Sequence, residues 1–179
     1  MKQSNQNTPT CIIKKSTCPK LSGRAKGTLT YHVGYADRDK SFHLRVTANK
    51  GGFFSKEWIA LDDIRATIEE KSPDDQFKAI ILQGLFHSRS ANNHGFLPAA
   101  LRSEGILNPV DDHPLSHTLG DVKTFKSEMT KLIKAKTDLH DDVAEAERIK
   151  EEKRAEMIER MKTAAATKEK PTTDEPKEK

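Results

Sequence analysis

Long apolar runs, cysteines and aromatic residues are all scarce in this 179-residue chain. No stretch approaches the roughly 18 consecutive apolar residues that a membrane-spanning helix needs, and the first residues lack the apolar segment of a secretory signal. The expectation is a soluble cytoplasmic protein with no membrane partner. Only 2 cysteines occur, Cys11 and Cys18. They cannot complete a structural zinc site without borrowing distant histidines, and reduced thiols suit a cytoplasm.

Catalytic motifs are missing as well. Asp62-Asp63, Asp74-Asp75, Asp111-Asp112 and Asp141-Asp142 are adjacent carboxylates, but neighbours in sequence do not face one another, and three of the pairs fit helix caps or turns. Gly51-Gly52 lacks the Lys-Ser or Lys-Thr that completes a P-loop, and a hairpin turn accounts for it. Neither cysteine has an assignable base. His113 and His117 are four apart, with His87 and His94 as the other nearby imidazoles. Pro114 interrupts that pair and no acidic residue stands between them in the manner of a hydrolytic zinc site, so they read as loop histidines. No enzyme, metal or cofactor is expected.

What is present is an uneven charge. The formal net charge of +4 divides into 11 basic against 3 acidic residues over 1–60, 5 against 9 over 61–120, and 15 against 15 over 121–179. The excess of +8 in the first third would attract a polyanion, with phosphate backbones the commonest kind.

Hydrophobic residues at 34% against 32% charged are low for a globular chain, and the deficit lies at the ends. Residues 1–10 and 168–179 are too polar to offset the entropy of ordering and are expected to be disordered. Residues 11–135 should form one α+β domain. Cys11-Ile12-Ile13 reads as a short strand or docking segment before a basic linker, Lys14 to Arg24. Leu29, Tyr31, Val33 and Tyr35 alternate with Thr30 and His32, then Phe42, Leu44 and Val46 alternate with His43 and Arg45, each with the period of a half-buried strand. With a third strand from Phe53 to Leu61, residues 27–61 read as a three-stranded antiparallel β-meander covered by short helices.

The covering helices start with Ile64 to Glu70. The densest apolar segment follows, and it reads as a helix from Phe77 to Phe86, a polar connection from Ser88 to Gly95, and a second helix carrying Phe96, Leu97, Ala100 and Leu101. Pro98 would place that helix's start near Gly95, and Gly105 suits its left-handed end. Residues 108–120 read as loop. From Asp121 a long helix begins, with Val122, Phe125, Met129, Leu132 and Ile133 packing on the domain. Over 136–167 it becomes an extended charged helix held by Glu and Lys pairs.

Two functional readings follow. The helical pair running into Ile106-Leu107 resembles the layout of a winged-helix protein, which implies a helix-turn-helix-like presentation of polar side chains to nucleic acid. A plain helical pair covering the sheet is the alternative. The leading expectation is a non-enzymatic DNA-binding or DNA-associated accessory protein. Its candidate nucleic-acid-binding residues are Arg24, Lys26, Lys40, Arg45, Lys50 and Lys56 on the basic β-rich surface, with Arg89, Asn92, Asn93 and Arg102 on the helical pair. His32 would share the basic surface, while Tyr31, Tyr35, Phe42, Phe53, Phe54 and Trp58 are needed mainly inside. The rival is a protein-interaction adaptor that uses the C-terminal helix for partner binding or self-association as a coiled coil, although Lys136 and Lys150 interrupt its heptads.

Overall fold

Alternation builds the sheet. The computed structural model describes residues 8–22, 27–72, 76–88 and 90–168, and in it β2 (Thr28–Ala36) and β3 (Ser41–Asn49) form the expected antiparallel hairpin. Leu29, Tyr31, Val33, Tyr35, Phe42, Leu44 and Val46 all enter one buried apolar cluster, as a period of two requires. The sheet has four strands rather than three. β1 (Cys11–Pro19) pairs along its length with β2, so Lys14 and Lys15 belong to a strand and not to a linker. A bulge between Ile12 and Lys14 leaves both Ile12 and Ile13 buried.

The expected third strand is mostly absent. Only Ile59–Ala60 (β4) pairs with β3, because the backbone of Phe53 to Ser55 is taken up by side chains instead. Ser90 Oγ and Asn92 Nδ2 donate to the Phe53 carbonyl at 2.5 and 2.8 Å, and Asn93 Oδ1 accepts from the Ser55 amide at 2.7 Å. Glu57 accepts from the amides of His87 and Ser88 at 2.9 and 3.1 Å. A segment whose hydrogen-bonding groups are satisfied in this way has no need of a strand neighbour.

That irregular segment delivers Trp58 to the outer face of the sheet, and this corrects a second expectation. His32, His43 and Arg45 do not point to solvent: they are 1%, 2% and 5% exposed. The Arg45 guanidinium carbon lies 4.2 Å from the centroid of the Trp58 ring, and its Nη2 is 3.1 Å from His32 Nδ1. A cation–π contact and a hydrogen bond thus accompany its burial.

The helices differ more from expectation. α1 (Leu61–Lys71) buries Leu61, Ile64 and Ile68. The next segment is not an α-helix: Phe77–Lys78 is a strand, β5, and Ala79–Leu85 a 3-10 helix. Of its apolar run only Phe77 and Leu82 are buried in full, and Ile80 is 52% exposed. α2 (Asn93–Ser103) begins two residues earlier than Pro98 suggests. The proline sits inside it, where it removes the bond to the His94 carbonyl. Gly105, at φ +68°, ends α2 as expected. The Ile106 amide reaches back to the Leu101 carbonyl at 2.9 Å and the Gly105 amide to Arg102 at 3.0 Å, the paired bonds of a Schellman end.

Residues expected as loop form strands β6 (Leu107–Val110) and β7 (His113–Leu119), which join β5 in a second sheet of order β5-β7-β6. Gly120 closes this region: a Cβ there would stand 2.3 Å from the Gly105 carbonyl oxygen. α3 (Val122–Lys134) is capped by Asp121, which accepts from the amides of Lys123 and Thr124. It buries Phe125 and Met129, with Val122, Leu132 and Ile133 packed against the cluster. Phe125 meets Phe42 edge-on at 5.7 Å.

The chain divides into two compact units at His140. The long helix is accordingly interrupted, and α4 (Asp142–Lys168) belongs to the second unit, capped by Asp141 through the amides of Val143 and Ala144. Ile149, Met157, Ile158 and Met161 are exposed along α4. Their spacings of eight, one and three do not make the alternating three and four of a heptad seam. Among the described residues no helix is long and apolar enough to cross a membrane. The expected disordered ends fall largely on residues 1–7 and 169–179, which lie outside the described residues.

Candidate nucleic-acid interface

A cleft of about 450 Å³ opens between the end of β1, the 3-10 helix, the start of α2 and β7. Lys20, Lys78, His94 and His117 supply its polar groups, and Leu21, Ile80, Phe96 and Leu115 its apolar ones. None of the described lining residues is acidic. Its size lies within the range of small-molecule sites, about 300 to 1,000 Å³.

Each side chain has a local reason to be there. Lys20 follows β1 and reaches across Phe96, its Nζ 5.4 Å from the ring centroid, while donating to the Lys50 carbonyl at 3.2 Å. Phe96 is held from behind by Phe54, edge-on at 5.9 Å. Lys78 is exposed on β5. Leu115 lies in the irregular stretch of β7 between His113 and His117, and both Leu115 and His117 line the cleft. The Leu115 side chain remains 58% exposed, whereas His117 is 1% exposed.

Arg102 fixes His117. Its Nε donates to His117 Nδ1 at 3.0 Å, and its Nη2 to the carbonyls of Pro114 and Ser116 at 2.9 and 2.7 Å. Burial, and then the charge of Arg102, push the His117 imidazole down to about 4. The ring is therefore neutral near pH 7. With Nδ1 accepting, Nε2 carries the proton and is a donor. The Phe77 ring lies 5.5 Å away, centroid to centroid.

The first turn of α2 adds to the same place. Ala91, Asn92, His94 and Gly95 line the cleft, no acidic residue occupies that turn, and His94 Nδ1 is buried without a hydrogen bond among the described residues. The Asn93 and Gly95 amides already donate to the Ser90 and Asn92 carbonyls at 3.2 and 3.1 Å, so this helix start offers the positive end of its dipole rather than a set of free N–H groups.

The expected site residues scatter. Asn92 lines the cleft, Lys50 is joined to it through Lys20, and Arg102 stands behind His117 as an orienting group. Asn93 is 3% exposed and is engaged in structure through Ser55 and Ser88. Arg45 is buried beneath Trp58 and presents no surface charge. Lys40 lies in the far hairpin turn, 3.5 Å from Asp37, and Lys56 is exposed on the irregular segment. Arg24, Lys26 and Arg89 lie outside the described residues.

The helix-turn-helix-like layout does not form, since its first member is a strand and a 3-10 helix, and Leu97 to Leu101 of its second member are buried. Phe53, expected inside, is 91% exposed, and its carbonyl is bonded to Asn92. The histidines read as loop residues divide as well: His113 is exposed on β7, while His117 is interior. The register of β7 shifts between them, His117 standing opposite Pro109 and His113 opposite Val110. Among the described residues no cluster could hold a metal ion.

Lys20, Lys78, Phe96 and Leu115 are not expected at a site from the sequence, and His94 and His117, weighed there as metal ligands, read as loop histidines. The usable signal was the alternation of Leu115, His117 and Leu119, obscured by Pro109 and Pro114. No family model, curated protein or solved structure matches the chain.

A second polar cluster, beneath the sheet, has no catalytic geometry. Ser41 Oγ donates to Asp39 at 2.6 Å and lies 2.7 Å from His43 Nε2. The carboxylate accepts from the hydroxyl, and His43 Nδ1 is buried without a hydrogen bond among the described residues. A Ser-His-Asp relay needs the carboxylate on that nitrogen.

Proposed function

We propose that the first unit is a non-enzymatic nucleic-acid-binding module that takes single-stranded DNA or RNA at the cleft. The observation that carries the reading is the coincidence of Lys20 and Lys78, with no acidic residue among the described lining residues, and of Ile80, Leu115 and Phe96 in one cleft. Unpaired strands offer both a phosphate for the lysines and the first turn of α2, and a base face for the apolar wall. A duplex hides its bases.

Anisotropy with a labelled 20-mer single strand and the corresponding duplex, at two salt concentrations, tests this. The strand is expected to bind more tightly. Its log affinity should fall against log salt with a slope of roughly −1.4, two lysine contacts at about −0.7 each. Replacing Lys20 and Lys78 together by Ala should weaken binding about tenfold or more. No strand binding at low salt, or equal binding by the double variant, would sink the reading.

The exposed apolar residues of α4 favour a second role for the second unit, as the surface of a protein-interaction adaptor. Sedimentation of the full chain against one ending at His140 tests for self-association through it.

A further inference from the structure

The shape and charge of the cleft point to a narrower ligand, and this inference rests on the single-strand reading above. A groove that tracks the interior of a strand holds several nucleotides in a row along a line of cations. This cleft is instead compact, about 450 Å³, and holds two lysines and one helix start. That volume suits one nucleotide rather than a tract.

We propose that it receives the end of a strand, with a terminal phosphate monoester directed at Lys20, Lys78 and the first turn of α2. A monoester carries about −1.5 to −2 charges near pH 7, against −1 for the diester inside a strand. Two ammonium groups and a helix start with no acidic residue in its first turn therefore favour the terminal group over any internal phosphate. One buried imidazole nitrogen of the cleft has no hydrogen bond among the described residues. His94 Nδ1 lines the helix start, and Nε2 of His117, whose other nitrogen is held by Arg102, is a donor in the same cleft. His94 Nδ1 is a buried polar atom that lacks a partner among the described residues, and such atoms are costly to leave unsatisfied. The base then lies against Leu115 and Ile80, both more than half exposed without it.

The test compares one 20-mer single strand in four forms: 5′-phosphorylated, 3′-phosphorylated, hydroxyl at both ends, and circularised. One phosphorylated form is expected to bind at least about tenfold more tightly than the hydroxyl-ended and circular forms. Lys78→Ala, on an exposed side chain, should cut that preference to about threefold or less. A nucleoside monophosphate should compete with the preferred strand. Equal binding of circular and phosphorylated linear strands would overturn end recognition and leave the single-strand reading standing. Failure of all four forms to bind at low salt would overturn both. Binding of the free mononucleotide with none of the strands would also overturn the proposal, because the cleft would then be too closed for a chain to leave it.

Discussion

Along β2 and β3 backbone pairs with backbone, and the side chains of one face go into a common apolar cluster. Where residues 53–57 meet residues 87–93 the backbone is instead met by side chains: Ser90, Asn92 and Asn93 hold residues 53 and 55, and Glu57 holds residues 87 and 88. The first arrangement is dictated by a period and tolerates polar substitution on its edges. The second is dictated by individual residues and has no period at all. It is also the one that frames the cleft, since Asn92 lies in both. In this chain regular pairing makes the platform, and stitched loops shape the cleft.

The sharpest way to break the comparison is to damage each arrangement at one point. Leu44 is fully buried in the centre of the sheet. Leu44→Ala removes its packing and leaves a cavity, with an expected loss of about 2 to 5 kcal/mol by urea unfolding at unchanged slope. Asn93→Ala should cost less, about 1 to 3 kcal/mol, chiefly by stranding the Ser55 amide and the Ser88 carbonyl. Because Asn93 opens α2 beside the cleft, its loss should also weaken strand binding, whereas a Leu44→Ala protein that remains folded should bind as before. Equal losses of binding from the two substitutions would erase the distinction.

Legibility follows the same division. The inward residues of β2 and β3 could be read from alternation alone, and so could the Gly105 end of α2 and the stripe of α3, because each expresses a local rule. β1 was obscured by Lys14 and Lys15, whose charges resemble a linker. Lys14 is in fact matched by Glu104 at 2.8 Å, and Glu104 also accepts from the Tyr31 hydroxyl at 2.5 Å. A partner ninety residues away leaves no trace in a window of ten. Arg45 and His32 show the same problem from the other side: alternation put them in solvent, but Trp58 covers that face by way of an irregular segment. The cleft was illegible for a similar reason. Its lysines and histidines come from four elements, and two of these, β5 and β7, are short or proline-bearing strands that residue pattern does not mark.

The smallest effect, and the most discriminating, is in acid. Hydrogen bonds from Ser55, the His87 amide and side chain and the Ser88 amide outweigh the upward push of burial on Glu57 and bring its carboxyl down to about 2 from an ordinary 4.5. A carboxylate lowered on folding contributes stability that is present in full above about 4.5 and lost as the pH falls through about 2. His117, lowered from 6.5 to about 4, acts in the same direction in a higher window: the unfolded chain takes up its proton first, so stability declines from 6.5 toward 4. A thermal melting series should therefore fall in two steps. Glu57→Gln should flatten the lower step and leave the upper one, because its latch is the stitched segment alone. His117→Phe should reduce the upper step, to which His43, also lowered by burial, contributes in the same direction, and leave the lower. If Glu57→Gln removed both steps, the loop latch and the cleft floor would titrate as one structure, and the separation between stitched segment and β7 would fail.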